Sequence, residues 1–140
     1  MEIASRVAEK PTWLVNRLSA RAHALLAESF AAAGVRGYHY RLLAAMEQAG
    51  PVSQADLGRL AGLDRSDVVA TLDDLAHWGL ARREPDPTDR RRNAVIVTDA
   101  GVERLAELES MVEAVQVELL APLTTHEART FVQLLTKLLA

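Results

Sequence analysis

The stretch from Leu80 to Gly101 constrains this chain more than any other. Its centre, Pro85-Asp-Pro-Thr-Asp-Arg-Arg-Arg92, is a Pro- and Asp-rich turn that no helix can accommodate. The flanks, Leu80-Ala-Arg-Arg-Glu84 and Asn93-Ala-Val-Ile-Val97, are short, and the second is β-branched, as a strand should be. Together they predict a β-hairpin with a basic, exposed loop. Two helix starts lie just upstream. Ser53-Gln-Ala-Asp56 resembles a capping box with Asp in place of Glu, opening a short helix that ends near Gly62. Asp64-Arg-Ser-Asp67 opens another, with Val68, Leu72 and Leu75 as its buried stripe and Gly79 as its stop. Two short helices around a glycine form a helix-turn-helix, and a hairpin that follows one is a wing.

The rest of the chain reads as longer helices. Pro11 opens one over 11–33, with Leu14, Leu18, Ala22, Leu25 and Ala33 near helical spacing, and Gly34 ends it. A second, over 37–49, carries Tyr40, Leu43 and Met46 on one face. Thr98 caps a helix running to about 121, whose Leu105, Leu108, Val112, Val115 and Leu119 step as a heptad-like seam. After Pro122, Thr124-Thr-His-Glu127 is a full capping box for a last helix with Phe131, Leu134, Leu135 and Leu138 on its apolar face. The expected fold class is mainly α with a small β-hairpin wing.

Composition narrows function by exclusion. A chain of 140 residues, 49% apolar and 25% charged, suits one globular domain. No apolar run approaches the roughly 20 residues of a membrane span, and the first ten residues lack a signal-peptide block. There is no cysteine, so disulfides and thiolate metal sites are excluded, and a cytoplasmic location is expected. His23, His39, His77 and His126 are scattered without metal-ligand spacing, and His77 suits a helix C-terminus on dipole grounds alone. No nucleophile–His pair, phosphate loop or carboxylate pair in an apolar setting supports catalysis, so neither an enzyme nor a cofactor is expected.

A net charge of −3 sits awkwardly with binding to nucleic acid, but its distribution matters more than its total. Residues 80–93 hold five arginines against three acids, whereas residues 64–78 hold Arg65 against Asp64, Asp67, Asp73 and Asp74. A guanidinium is a permanent planar charge that matches phosphate and can enter a narrow minor groove, so Arg90, Arg91 and Arg92 on an exposed turn point to DNA. The plainer alternative is that one of them pairs with Asp86 or Asp89 to brace the loop. From the start of the preceding helix, Arg65 and Ser66 can reach phosphate or base edges, and Thr71 is a further polar candidate. Asp67 can accept from a cytosine amino group or serve as a local cap partner, the second being the blander reading. Arg36, Arg41 and Arg59 are candidates for backbone contacts, with simple solvation the alternative.

Leu63-Asp-Arg-Ser66, Leu72 to Leu75, Gly79 to Arg92 and Val97-Thr-Asp-Ala-Gly101 resemble, in order and spacing, the MarR family of winged helix-turn-helix transcriptional regulators. The resemblance is tight over residues 52–101 and looser over the flanking helices. It implies a homodimer in which residues 1–34 and 99–140 form the helical dimerisation region and residues 35–98 the DNA-binding lobe. It implies a regulator, most simply a repressor, on a pseudo-palindromic operator of double-stranded DNA, with the Asp64 helix in the major groove. It assigns Arg90 and Arg92 to DNA and Asp89 with Arg91 to the brace. Where relatives often carry Thr, Thr, Arg and Arg, this chain has Asp67, Val69, Ala70 and Asp74. A dimeric winged-helix module acting through protein contacts, with weak or no DNA binding, is therefore the rival. The resemblance also implies a small aromatic, anionic effector, for which Trp13, Arg17, Arg21, Tyr38, His39 and Tyr40 could supply stacking and counter-charge. Trp13 and Tyr40 as interface or core aromatics is the competing view.

Overall fold

A computed structural model describes residues 2–86, 88–89 and 91–140. The helices are α1 (Ser5–Ala8), α2 (Pro11–Ala32), α3 (Gly37–Ala49), α4 (Gln54–Ala61), α5 (Arg65–His77), α6 (Asp99–Leu120) and α7 (Thr125–Leu139). The strands are β1 (Val52–Ser53), β2 (Ala81–Pro85) and β3 (Asn93–Val97). They form one antiparallel sheet in the order β1-β3-β2, with Val52 opposite Val95, Ala81 opposite Val97 and Pro85 opposite Asn93. The expected mainly helical fold with a hairpin wing is therefore present. Two elements were not foreseen: the single turn α1, and β1, whose two residues extend the hairpin to three strands.

The chain forms two compact units, residues 1–26 with 112–140, and residues 27–111. The second contains nearly all the buried side chains. Leu42, Leu43 and Met46 of α3, Leu57 of α4, Val68, Leu72 and Leu75 of α5 and Val95 of β3 are its innermost members. Each comes from the apolar stripe of an amphipathic helix or the inward face of a strand. Ser53 Oγ caps α4 by accepting the Asp56 N–H at 3.2 Å. Gly62 ends that helix at a φ of +68°, a left-handed conformation that only glycine adopts without strain. From α3, the Arg41 guanidinium donates to the Ala61 and Gly62 carbonyls at 2.6 and 3.1 Å. The turn between α4 and α5 is thus held from behind.

The Thr98-x-x-Gly101 signature works as a clasp. Thr98 Oγ1 donates to the Gly79 carbonyl at 2.7 Å and accepts the Gly101 N–H at 3.1 Å, while the Thr98 N–H donates to the Leu80 carbonyl at 3.1 Å. The start of α6 is so close to the α5–β2 turn that a Cβ on residue 101 would lie 2.1 Å from the Leu80 oxygen. The wing is therefore anchored at both of its roots.

In the first unit, Thr124 and Glu127 cap α7 reciprocally, as expected. Among its described residues only Val115 is buried. Leu14, Val15, Val117, Leu134 and Leu138 are all exposed, Leu138 to 77%. No helix of the described residues is long and apolar enough to cross a membrane.

Candidate nucleic-acid interface

The exposed side of the second unit is organised around the N-terminus of α5. Asp64 Oδ1 accepts the Asp67 N–H at 2.9 Å and the Ser66 hydroxyl at 2.8 Å. The Asp67 N–H, ahead of the Ser66 hydroxyl, holds the Asp64 carboxyl below the ordinary carboxylate range. Asp67 therefore stands at the third helical position of a cap made by Asp64. Arg65 is exposed and has no ion pair among the described residues. Thr71 lies on the opposite side, only 5% exposed beside Leu72 and Leu75, so it faces the core.

The wing loop is built by its own acids. Asp86 Oδ1 accepts both the N–H and the hydroxyl of Thr88, at 2.8 and 2.7 Å, and those bonds, the backbone one first, lower its pKa. The Asp86 N–H donates to the Arg92 carbonyl at 2.9 Å, closing the loop. Asp89 accepts the Arg91 backbone N–H at 3.0 Å, and its Oδ2 lies 3.8 Å from Arg92 Nε. Asp89 thus braces the loop through the main chain of Arg91 and the side chain of Arg92. The Arg91 guanidinium has no ion pair among the described residues. Arg90 lies outside the described residues.

Between α4, the start of α5 and the wing runs a groove of about 830 Å³. Arg59, Arg65, Arg91 and Arg92 line it, with the polar side chains of Gln54 and Asn93. Arg59 is ion-paired to Asp56, and that guanidinium is the first cause of the lowered Asp56 pKa. A concave surface edged by four guanidinium groups is shaped and charged for a polyanion. Gln54 and Asn93 carry no signal in sequence, because only the fold brings the start of α4 beside the end of the wing.

The acids later in α5 are turned to partners within the lobe. Asp73 accepts from Arg83 at 2.7 Å, and Arg83 Nε also donates to Gln54 at 3.1 Å. Asp74 lies 2.9 Å from His39 Nε2. Because His39 Nδ1 accepts the Arg36 N–H at 2.8 Å, the neutral ring carries its proton on Nε2 and donates to Asp74. His39 is buried and stacks against Trp78, with ring centroids 4.7 Å apart. His39 and Arg41 are therefore engaged within the lobe, while Arg36 meets His39 through its backbone N–H and is exposed.

The remaining effector candidates are divided between the units. Tyr40 donates to Glu109 at 2.6 Å and packs on Phe30, and Arg41 lies over the Tyr38 ring at 5.8 Å. In the other unit, Arg17 lies 5.4 Å from the Trp13 ring centroid, and Arg21 is exposed. Among the described residues no group of three or more His, Asp or Glu could hold a metal ion.

Residues 33–92 match the MarR family model. The chain is 33% identical over 105 residues to a candidate transcriptional regulatory protein for the hcr operon of Thauera aromatica, covering 75% of this chain. That match spans 63% of the relative's length. A candidate transcriptional regulator from Pseudomonas aeruginosa, known from its crystal structure, superposes with a TM-score of 0.82 at 28% identity, covering 94% of this chain and 98% of that one. The PcaV transcriptional regulator from Streptomyces coelicolor, crystallised with its natural ligand, gives 0.78 at 28% identity, with 99% and 96% covered. These relatives are regulators rather than enzymes.

Proposed function

We propose that this chain is a homodimeric, sequence-specific DNA-binding repressor of the MarR family, whose model matches its winged helix over residues 33–92. The arginine-lined groove supports this reading most directly: four guanidinium groups converge there on a chain whose net charge is −3. In this reading α5 enters a major groove, Arg65 and Ser66 touch the DNA at the helix start, and the wing reaches the adjacent backbone with Arg90, Arg91 and Arg92. Thr71 contributes to packing instead. A two-fold dimer then binds a pseudo-palindrome with half-sites about one helical turn apart.

The bare apolar faces of residues 1–26 and 112–140 support dimerisation, because one chain alone leaves them in water. Residues 1–34 and 99–140 are the proposed dimer region, residues 35–98 the DNA-binding lobe, and the cytoplasm the place of action. The ligand in the PcaV structure supports an effector, here a small aromatic anion engaged by Trp13, Arg17 and Arg21. The acidity of α5 favours a second reading, a protein-interaction module. Mobility-shift titration against duplexes enriched from random sequence decides between them. Arg90→Glu with Arg92→Glu should abolish binding and leave a folded dimer. A wild-type affinity that is indifferent to salt removes the DNA reading.

A further inference from the structure

Resting on that DNA reading, we propose that Val69 and Ala70 form an apolar reading patch on α5 that recognises the 5-methyl group of a thymine in each half-site. The helix periodicity divides α5 into two sides. Val68, Thr71, Leu72 and Leu75 are buried, which turns Arg65, Ser66, Val69, Ala70 and Asp73 outward, three or four residues apart. Together with Asp64 they bound a shallow concavity of about 680 Å³.

Apart from Arg65, the polar groups at its edge are already engaged within the lobe. Ser66 donates to Asp64, Asp64 caps the helix, and Asp73 is held by Arg83. The middle of the face is hydrocarbon, with Val69 37% exposed. The edges of the four bases offer donors and acceptors in the major groove, and the thymine methyl is the apolar feature among them. An amide would suit adenine and a guanidinium guanine, but a valine–alanine pair has only that methyl to match. Continuity with the arginine-lined groove fixes the occupant as duplex DNA: Arg65 belongs to this concavity and to that groove alike.

The test starts from a duplex enriched by the wild-type protein from random sequence. Thymines are replaced one at a time by deoxyuridine, which removes only the 5-methyl group. One position per half-site should weaken wild-type binding about fourfold, and about fifteenfold when both half-sites are changed, the worth of one methyl-sized group each. Val69→Ala, an exposed change to a better helix former, should bind the thymine duplex more weakly and show no uracil penalty at that position. Binding that no uracil substitution weakens, or a Val69→Ala variant with the full penalty, overturns this proposal alone. Failure to enrich any duplex overturns the DNA reading along with it.

Discussion

Gly101→Ala is the substitution whose consequence follows most directly from the structure. The new Cβ would sit 2.1 Å from the Leu80 oxygen and 2.6 Å from Val97 Cγ2. The first of these belongs to the backbone and already accepts the Thr98 N–H, so it cannot swing aside as a side-chain tip would. Forcing an extra carbon into a packed site costs about 1–3 kcal/mol, and an immovable neighbour places this case towards the upper end. A weakened Thr98 hydrogen bond adds about 1 kcal/mol. Alanine's better helix propensity returns about 1 kcal/mol, since residue 101 lies in α6. The net loss is about 2–3 kcal/mol, or a Tm lower by roughly 4–12 °C. Gly37→Ala is the matched control. Its Cβ would meet Phe30 at 3.6 Å, an ordinary contact, so it should be neutral or stabilise by about 0.4–1 kcal/mol. Urea unfolding at fixed protomer concentration reads both. A Gly101→Ala protein as stable as Gly37→Ala would refute the clasp between α6 and the root of the wing.

Acid should destabilise the lobe through three hydrogen-bonded aspartates. Asp56, Asp64 and Asp86 all titrate below their ordinary value when folded, so their contribution is complete above the unfolded carboxylate pKa and is lost as pH falls through the lower folded values. Asp64→Asn, which keeps a capping oxygen without the titration, should flatten the acid limb of a denaturation midpoint plotted against pH. Leu134→Glu with Leu138→Glu places charge on the bare face of α7. Sedimentation velocity should show protomers in place of dimers, and a species that remains dimeric removes α7 from the interface. In DNA titrations across salt, Arg65→Ala and Arg91→Ala each remove two phosphate contacts per dimer and should each reduce the log–log slope by about 1.8. Arg59→Ala and Arg92→Ala should reduce it less, because Asp56 and Asp89 already neutralise those groups. Equal effects from all four would mean that both pairs open on DNA.

The fold was legible wherever one local signal sufficed. Ser53, Asp64, Thr98 and Thr124 each mark a helix start, and each caps one in the structure through its own side-chain oxygen. Strand β1 was illegible because two residues after Gly50-Pro51 carry no period, and their strand character comes only from pairing with β3. Side-chain roles were harder than elements. The sequence marks Asp89 as a brace but cannot say through which atoms, and the brace runs through the Arg91 backbone and the Arg92 guanidinium. Thr71 reads as a polar candidate by composition, yet it falls on the same side of the helix as Leu72 and Leu75. His39 and Arg41 read as exposed functional groups, because their partners, Asp74 and the Ala61 and Gly62 carbonyls, are 35, 20 and 21 residues away.

The same distance effect resolves the contrast between an acidic helix and a basic wing. A window along the sequence counts Asp73 and Asp74 against Arg65 because they share a helix, although eight residues of helix separate Arg65 from Asp73 by about 12 Å. In space, Asp73 belongs with Arg83 of β2 and Asp74 with His39 of α3, so the later half of α5 carries its charge as fastening between elements. Arg83, counted in sequence among the wing cations, is correspondingly withdrawn from the surface pool. The groove instead gains Arg59 from α4, a residue outside both windows. The positive surface is therefore assembled from three elements, α4, α5 and the wing, and no single one of them carries it. Such an arrangement ties electrostatic attraction to the relative placement of α4, α5 and β3. Anything that shifts the wing against α5 should weaken phosphate contacts without touching a single arginine.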